Sequence, residues 1–307
     1  MYASLNTTIE ITPSREQINT WIKKFVPEID LFFISKKELV AFEDHLNEVL
    51  VIPRNEFFNH SSYKQIQFIN SYLYWNISSQ ANFVIVAHAS WINELPEQKK
   101  RELFAIQIKM GRGLIFPLTL FTDTVLIPKE YILREKTEEY VVIQHDMWNK
   151  LPYELKENSI KAYAQLWDKW FCNEIPEQTP LHISKYANQF SVVSGSNCLS
   201  ATLFAITGQE WMINEWVHPE TFVNALKRNH YSFINDDKIG TGDVVAWVNE
   251  DDVIQHASYH IGNNLFFNKE GQTFFNPWKV IHLDELKSEW GEYKVKVYRK
   301  WKANKNS

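Results

Sequence analysis

Through about residue 170 the apolar positions alternate between helical and strand spacing. Ile18, Trp21, Ile22 and Phe25 recur at i, i+3, i+4 and i+7, directly behind Ser14-Arg15-Glu16-Gln17. That tetrapeptide reads as a capping box, so the spacing predicts a helix with one buried face. A second helix is expected over 63–75, and 83–87 reads as a short buried strand. Pro96 opens a further helix at the first-turn position, where proline is tolerated, and Gly111 stops it. Strands are expected over 114–120, 124–127 and 140–144, and Pro117 assigns the first of these to a sheet edge or a bulge. A long helix is expected over 152–170, with Leu155, Tyr163, Leu166, Trp167 and Trp170 on its apolar side.

One internal echo stands out. His88-Ala89-Ser90-Trp91-Ile92-Asn93-Glu94-Leu95-Pro96 resembles His145-Asp146-Met147-Trp148-Asn149-Lys150-Leu151-Pro152, and each follows an apolar strand and precedes a helix. The pair is either a duplicated strand-turn-helix unit or two similar turns reached independently. Asn173-Glu174-Ile175-Pro176-Glu177-Gln178-Thr179-Pro180 carries two prolines and no periodicity, which marks a linker and a domain boundary.

Past that segment, Ser196 or Asn197 can cap a helix beginning at Cys198. Leu199, Thr202, Leu203 and Ile206 would form its buried side, and Gly208 would close it. A second helix starts at His218-Pro219-Glu220. Gly240-Thr241-Gly242-Asp243 turns into the strand Val244–Val248. His256 lies on the next strand, which ends at the hairpin-type turn Gly262-Asn263-Asn264, and Leu265-Phe266-Phe267-Asn268 returns. A turn centred on Gly262 would set His256 directly opposite Asn268.

Composition narrows the choices. The chain has 307 residues, 45% hydrophobic and 15% aromatic, which supplies a substantial core for two domains. A charged fraction of 22% with only 9 glycines excludes a disordered class. The net charge of −5, with Lys and Arg scattered, gives no nucleic-acid footprint. Cys172 and Cys198 make neither a disulfide framework nor a metal spacing. Residues 1–8 lack a basic n-region and an apolar h-region, and no apolar run is long enough to span a bilayer. A soluble cytoplasmic protein with no membrane partner is the expectation. Gly111-Arg112-Gly113 lacks the other glycines and the lysine of a phosphate loop. His256 and His260 share a strand face without a third ligand, so neither a metal nor a cofactor is expected.

A cysteine at a helix start is held where the helix field favours its thiolate, the form that attacks carbonyls. Such a nucleophile needs a base in hydrogen-bond reach, and the base needs a third group to orient its ring. Cys198, His256 and Asn268 supply these types in that order. On the helix-start cysteine, Gly242-Asp243-Val244-Val245, His256-Ala257-Ser258-Tyr259-His260-Ile261-Gly262 and Asn268, the segment 194–300 resembles the NlpC/P60 branch of the papain-like cysteine peptidases. Where that family usually has Asp before the nucleophile, Ser after it and Gly two residues past the base, this chain has Asn197, Leu199 and Ser258.

The resemblance implies Cys198 as nucleophile, His256 as base and Asn268 as orienting residue, with Ser196, Asn197 and Ser258 on the oxyanion and substrate side. The expected architecture is α+β. A mixed helix-and-strand domain over 1–178, a possible substrate-selecting module, precedes a papain-like domain over 179–307 whose helix-borne cysteine packs on an antiparallel sheet. The expected activity is cleavage of a small peptide or peptide-like amide through a thioester, murein-derived peptides being the first candidates. The alternatives are an acyltransferase or amide-forming enzyme, and a catalytically silent binding module.

Overall fold

The structure, a computed structural model, describes residues 7–235 and 238–301. Residues 1–6, read above for leader character, lie outside the described residues. Strand β1 (Thr8–Glu10) comes first. Ser14 and Gln17 then cap each other: Ser14 N–H donates to Gln17 Oε1 at 2.7 Å and Gln17 N–H to Ser14 Oγ at 3.3 Å. This reciprocal pair satisfies free N–H groups at the start of helix α1 (Arg15–Lys24), whose Ile18 and Trp21 are buried.

Residues 18–163 form one compact unit. It holds two three-stranded antiparallel sheets of the same strand order, each with its last strand in the middle. The first is built from β2 (Ile29–Ile34), β3 (Leu50–Pro53) and the central β4 (Phe83–His88). Helices α2 (Lys36–Leu39), α3 (Arg54–Asn59) and α4 (Ile66–Tyr72) lie between these strands in sequence. Helices α5 (Trp91–Glu94) and α6 (Glu97–Lys109) follow β4. The second sheet is built from β5 (Ile115–Pro117), β6 (Ile132–Glu135) and the central β7 (Glu138–Val142), followed by α7 (His145–Lys150) and α8 (Tyr153–Ala164).

The two echoing segments therefore leave equivalent central strands. Their turns also touch, Asn93 Nδ2 donating to Asp146 Oδ2 at 2.8 Å. Pro117 sits on an edge strand, where its missing N–H costs no ladder bond.

The elements depart from the periodicity at three places. Leu73 adopts a left-handed conformation at φ 49° and ends α4 before residue 75. Residues 124–126 form a 3₁₀ turn rather than a strand, because Asp123 Oδ1 takes the Val125 N–H at 3.0 Å. Helix α8 stops at Ala164, short of Trp170.

The core of this unit contains charge. Asp30 is buried and accepts from Gln144 Nε2 at 2.6 Å, with Arg112 Nη2 at 3.8 Å from its other oxygen. The Arg112 guanidinium lies 4.9 Å from the Phe32 ring centre and 5.1 Å from that of Tyr72, and donates to Ile143 O at 3.1 Å. Burial pushes the Asp30 carboxyl up to about 6, against the opposing pull of Arg112 and Gln144. Gly113 next door must be glycine, since a Cβ there would lie 2.2 Å from the Ser71 carbonyl oxygen.

The second compact unit joins the described residues before 18 to those from Ala164 onward. The expected boundary at 178 is thus corrected to the C-terminal end of α8. Strand β8 (Phe171–Asn173) pairs antiparallel with β1, tying the proline-bearing segment into this unit instead of leaving it as a linker. A short helix α9 (Leu181–Ser184) follows.

Next come helices α10 (Cys198–Thr207) and α11 (Pro219–Arg228) and strand β9 (Tyr231–Ile234). They are followed by β10 (Val244–Val248), β11 (Ile254–Gly262), β12 (Leu265–Lys269), β13 (Trp278–His282), α12 (Leu283–Trp290) and β14 (Lys294–Lys300). The six strands form one antiparallel sheet in the order β13-β12-β11-β10-β14-β9.

Leu199, Leu203, Phe204, Phe222 and Leu226 of α10 and α11 belong to the apolar clusters on one face, with Val244, Ala246, Ala257 and Phe267. Leu286 of α12 joins Val245, Trp247, Phe266 and Ile281 in a separate cluster on the other. Burying a Leu or Phe side chain in this way is worth about 1.5–3 kcal/mol each. The α+β class expected from the sequence holds. Among the described residues no helix is long and apolar enough to cross a membrane.

Candidate active site

Helix α10 begins at Cys198 because Asn197 closes it. Asn197 Oδ1 accepts the Ser200 N–H at 3.0 Å, and Ser200 Oγ accepts the Asn197 N–H at 3.0 Å. At the other end Gly208 takes the left-handed cap at φ 69°. Thr202 Oγ1, one turn in, donates to Ala257 O at 3.1 Å and so moors the helix to β11. The remaining donor of Asn197, Nδ2, bonds Val217 O at 2.8 Å. That side chain thus serves the cap and the loop, with one amide N–H beyond these bonds. Ser196 is buried, and its Oγ has no hydrogen-bond partner. The Cys198 N–H, at the first helical position, has no acceptor within the helix.

Cys198 is half-buried. Burial raises its thiol pKa, but the charge of the neighbouring His256, helped by the Ala257 N–H, draws it below the ordinary value. Cys172 provides the contrast. It is buried beside Ile9 O, and burial pushes its thiol up to about 11.

His256 is fully buried and held from three sides. Its Nε2 lies 2.7 Å from Asn268 Oδ1, its ring stacks on Trp290 at 4.3 Å and 11°, and Trp247 tilts against it at 5.5 Å. An amide oxygen can only accept, so Nε2 carries the proton. Nδ1, which has no hydrogen-bond partner, is the ring atom left for the thiol.

The register that delivers this contact differs from the direct opposition expected. Asn263 and Asn264 both have positive φ, at 53° and 59°, and make the tight turn. An irregularity between His260 and Gly262 then shifts the ladder, pairing Tyr259 with Phe267 and His260 with Phe266. One step further along that register, Ser258 stands opposite Asn268 and His256 lies on the diagonal. Ser258 Oγ accordingly donates to Asn268 Oδ1 at 2.5 Å and lies 3.3 Å from His256 Nε2. Ser258 is thus buried at the Nε2 end of the ring, not on the oxyanion side where it was expected.

Three residues that spacing did not single out complete the site. Asn268 Nδ2 donates to Glu270 Oε1 at 2.5 Å. Lys269 is buried and donates to Thr273 O at 3.1 Å and to Asn276 O, fastening the loop behind β12. Burial draws the Lys269 ammonium down to about 7, while Asp168 and the Cys198 thiol pull it up. Trp290 supplies the flat cover over His256. The available signal was a charged pair, Lys269-Glu270, directly behind Leu265-Phe266-Phe267-Asn268.

His260 does not join a metal set. Its Nδ1 bonds Gly240 O at 2.8 Å and its ring packs on Phe266. Among the described residues no group of three or more His, Cys, Asp or Glu is placed to hold a metal ion. Asp243 of the Gly242-Asp243 turn is structural, binding the Gly240 N–H at 2.7 Å and Arg299 Nη2 at 2.7 Å, which joins the entry of β10 to β14. Compared with family models, curated proteins and solved structures, the chain finds no match in any of the three.

Proposed function

We propose that the unit carrying Cys198 is a papain-like thiol hydrolase of the NlpC/P60 type, a cysteine peptidase or amidase acting on a small peptide or peptide-like amide. The observation that carries the reading is the Cys198–His256–Asn268 constellation, with a thiol drawn down by an imidazole whose other nitrogen is bonded to an amide oxygen at 2.7 Å. In this reading His256 Nδ1 takes the thiol proton, and the Cys198 thiolate adds to the substrate carbonyl. The tetrahedral oxyanion is met by the Cys198 N–H, a contact worth on the order of 3 kcal/mol. The imidazolium then protonates the leaving amine as the C–N bond breaks, which leaves a thioester on Cys198. Water, deprotonated by the same ring, releases the acid and restores the thiol.

Iodoacetamide labelling tests the assignment. Cys198 should label well below the pH at which Cys172 reacts; equal, slow labelling of both would sink it in favour of a silent binding module. A trapped acyl-enzyme followed by mass spectrometry should decay in water alone. Decay only on adding an amine would replace hydrolysis with acyl transfer.

A further inference from the structure

Asn268 turns its oxygen toward His256, and the group that holds it that way round lies on its other side. Asn268 Oδ1 receives the Ser258 hydroxyl at 2.5 Å and lies 2.7 Å from His256 Nε2, while Asn268 Nδ2 donates to Glu270 Oε1 at 2.5 Å. Two of these three neighbours suit either orientation of the amide. A hydroxyl both donates and accepts, and a neutral imidazole has a tautomer for each case. An ionised carboxylate only accepts, so it alone demands the amide nitrogen. With nitrogen toward Glu270, Oδ1 meets His256, Nε2 carries the proton and Nδ1 keeps its lone pair for the thiol. With the amide reversed, Nε2 would accept from Asn268. Nδ1 would then carry the proton and could not take that of Cys198.

We propose that Glu270 is a positioning residue: as a carboxylate it fixes the amide of Asn268, and through it the His256 tautomer that can deprotonate Cys198. This rests on the thiol reading above. Glu270 faces Lys279 on β13, Asp168 between α8 and β8, and Glu289 and Trp290 on α12. It lines a cavity of about 390 Å³ with Asp168, Lys279, Glu285 and Glu289. Burial pushes its carboxyl up to about 7, with Lys279 opposing and Asp168 and Glu289 reinforcing. The group therefore changes charge near neutrality. Once protonated it can donate as well as accept, so it no longer demands the amide nitrogen; the reversed amide becomes accessible and the base is partly withdrawn from the thiol.

The test is the pH profile of Cys198 labelling by iodoacetamide in the full chain, read beside thermal melting. The unaltered protein should show a rise in rate near neutral pH. Glu270→Gln should lose that rise and label roughly tenfold or more slowly at pH 8, as expected when an outer hydrogen-bond partner of a tautomer-controlled group is removed. Glu289→Gln, which alters the same cavity without touching the amide, should keep the rise. A Glu270→Gln profile identical to that of the unaltered protein overturns the positioning role while leaving the thiol reading intact. Labelling of unaltered Cys198 only in the alkaline range of Cys172 overturns both. Should Glu270→Gln fail to fold, Glu270→Asp carries the test: the rise must move with the new carboxylate, and an unmoved rise overturns the proposal.

Discussion

In the unit spanning residues 18–163, Asp30 and Arg112 sit among Phe32, Tyr72, Gln144 and Ile143, so the buried charge ends in the core. In the unit built around the six-stranded sheet, a line of polar groups runs from Glu270 through Asn268 and His256 to a half-buried thiol. The ingredients are similar: one acid displaced upward, one amide, one nitrogen base. Burying a charge is costly in either place. What differs is where the network ends: one closes inside the core, the other reaches a half-buried thiol, and under the proposed function that end is where the cost would be turned to chemistry.

The largest effect should come from breaking the closed network. Arg112→Ala leaves Asp30 buried without its cation and should cost about 3–5 kcal/mol of stability. Denaturant melts would register this, while the labelling rate of Cys198 in the folded fraction should not change. A changed rate would erase the distinction between the two networks.

His256→Ala should do the reverse. It removes the group that draws the Cys198 thiol down, so labelling just above neutral pH should fall roughly tenfold or more and recover in alkali. A pH-independent loss would instead point to a blocked thiol.

A third outcome concerns both acids together. Asp30 and Glu270 have folded values of about 6 and about 7, above those of the unfolded chain, so the folded state binds the extra protons. Their contribution is complete below the unfolded carboxyl range and is lost as pH rises through 6 and 7. The melting temperature should therefore fall by several degrees between about pH 5 and 7. Asp30→Asn and Glu270→Gln should each flatten part of that slope. Lys269, displaced downward to about 7, works with the opposite sign above that pH, so the fall should stop there. A melting temperature that rises steadily from pH 5 to 7 would contradict both burial effects.

The smallest effect belongs to Ser258→Ala. It removes one neutral hydroxyl from Asn268 Oδ1 and leaves that oxygen its imidazole donor, so Cys198 labelling should slow by roughly two- to tenfold. A loss as large as that of His256→Ala would make Ser258 more than a support.

Much of the site could be read locally. The start of α10 at Cys198 follows from the Asn197 cap and the Gly208 stop, and the β11–β12 hairpin follows from Asn263-Asn264 between apolar runs. These are short-range signals, set by backbone groups that neighbouring side chains must satisfy. The Ser14–Gln17 box and the edge position of Pro117 belong to the same class.

What the sequence by itself determined, then, is which residue opens the helix, which strands carry His256 and Asn268, and where the chain turns. Tertiary structure decided the rest. One irregularity at Ile261 shifted the ladder, set Ser258 rather than His256 opposite Asn268, and made the base-to-amide contact a diagonal one. Period-2 patterning is blind to such a shift, because the apolar alternation on either side of a bulge still looks regular. Glu270, Lys269 and Trp290 reached the site only through packing of the loop behind β12 and of α12. The pairing of β1 with β8 moved the unit boundary away from the prolines. In each case the deciding interaction joins residues distant in sequence, and its free energy is realised only once the sheet has formed.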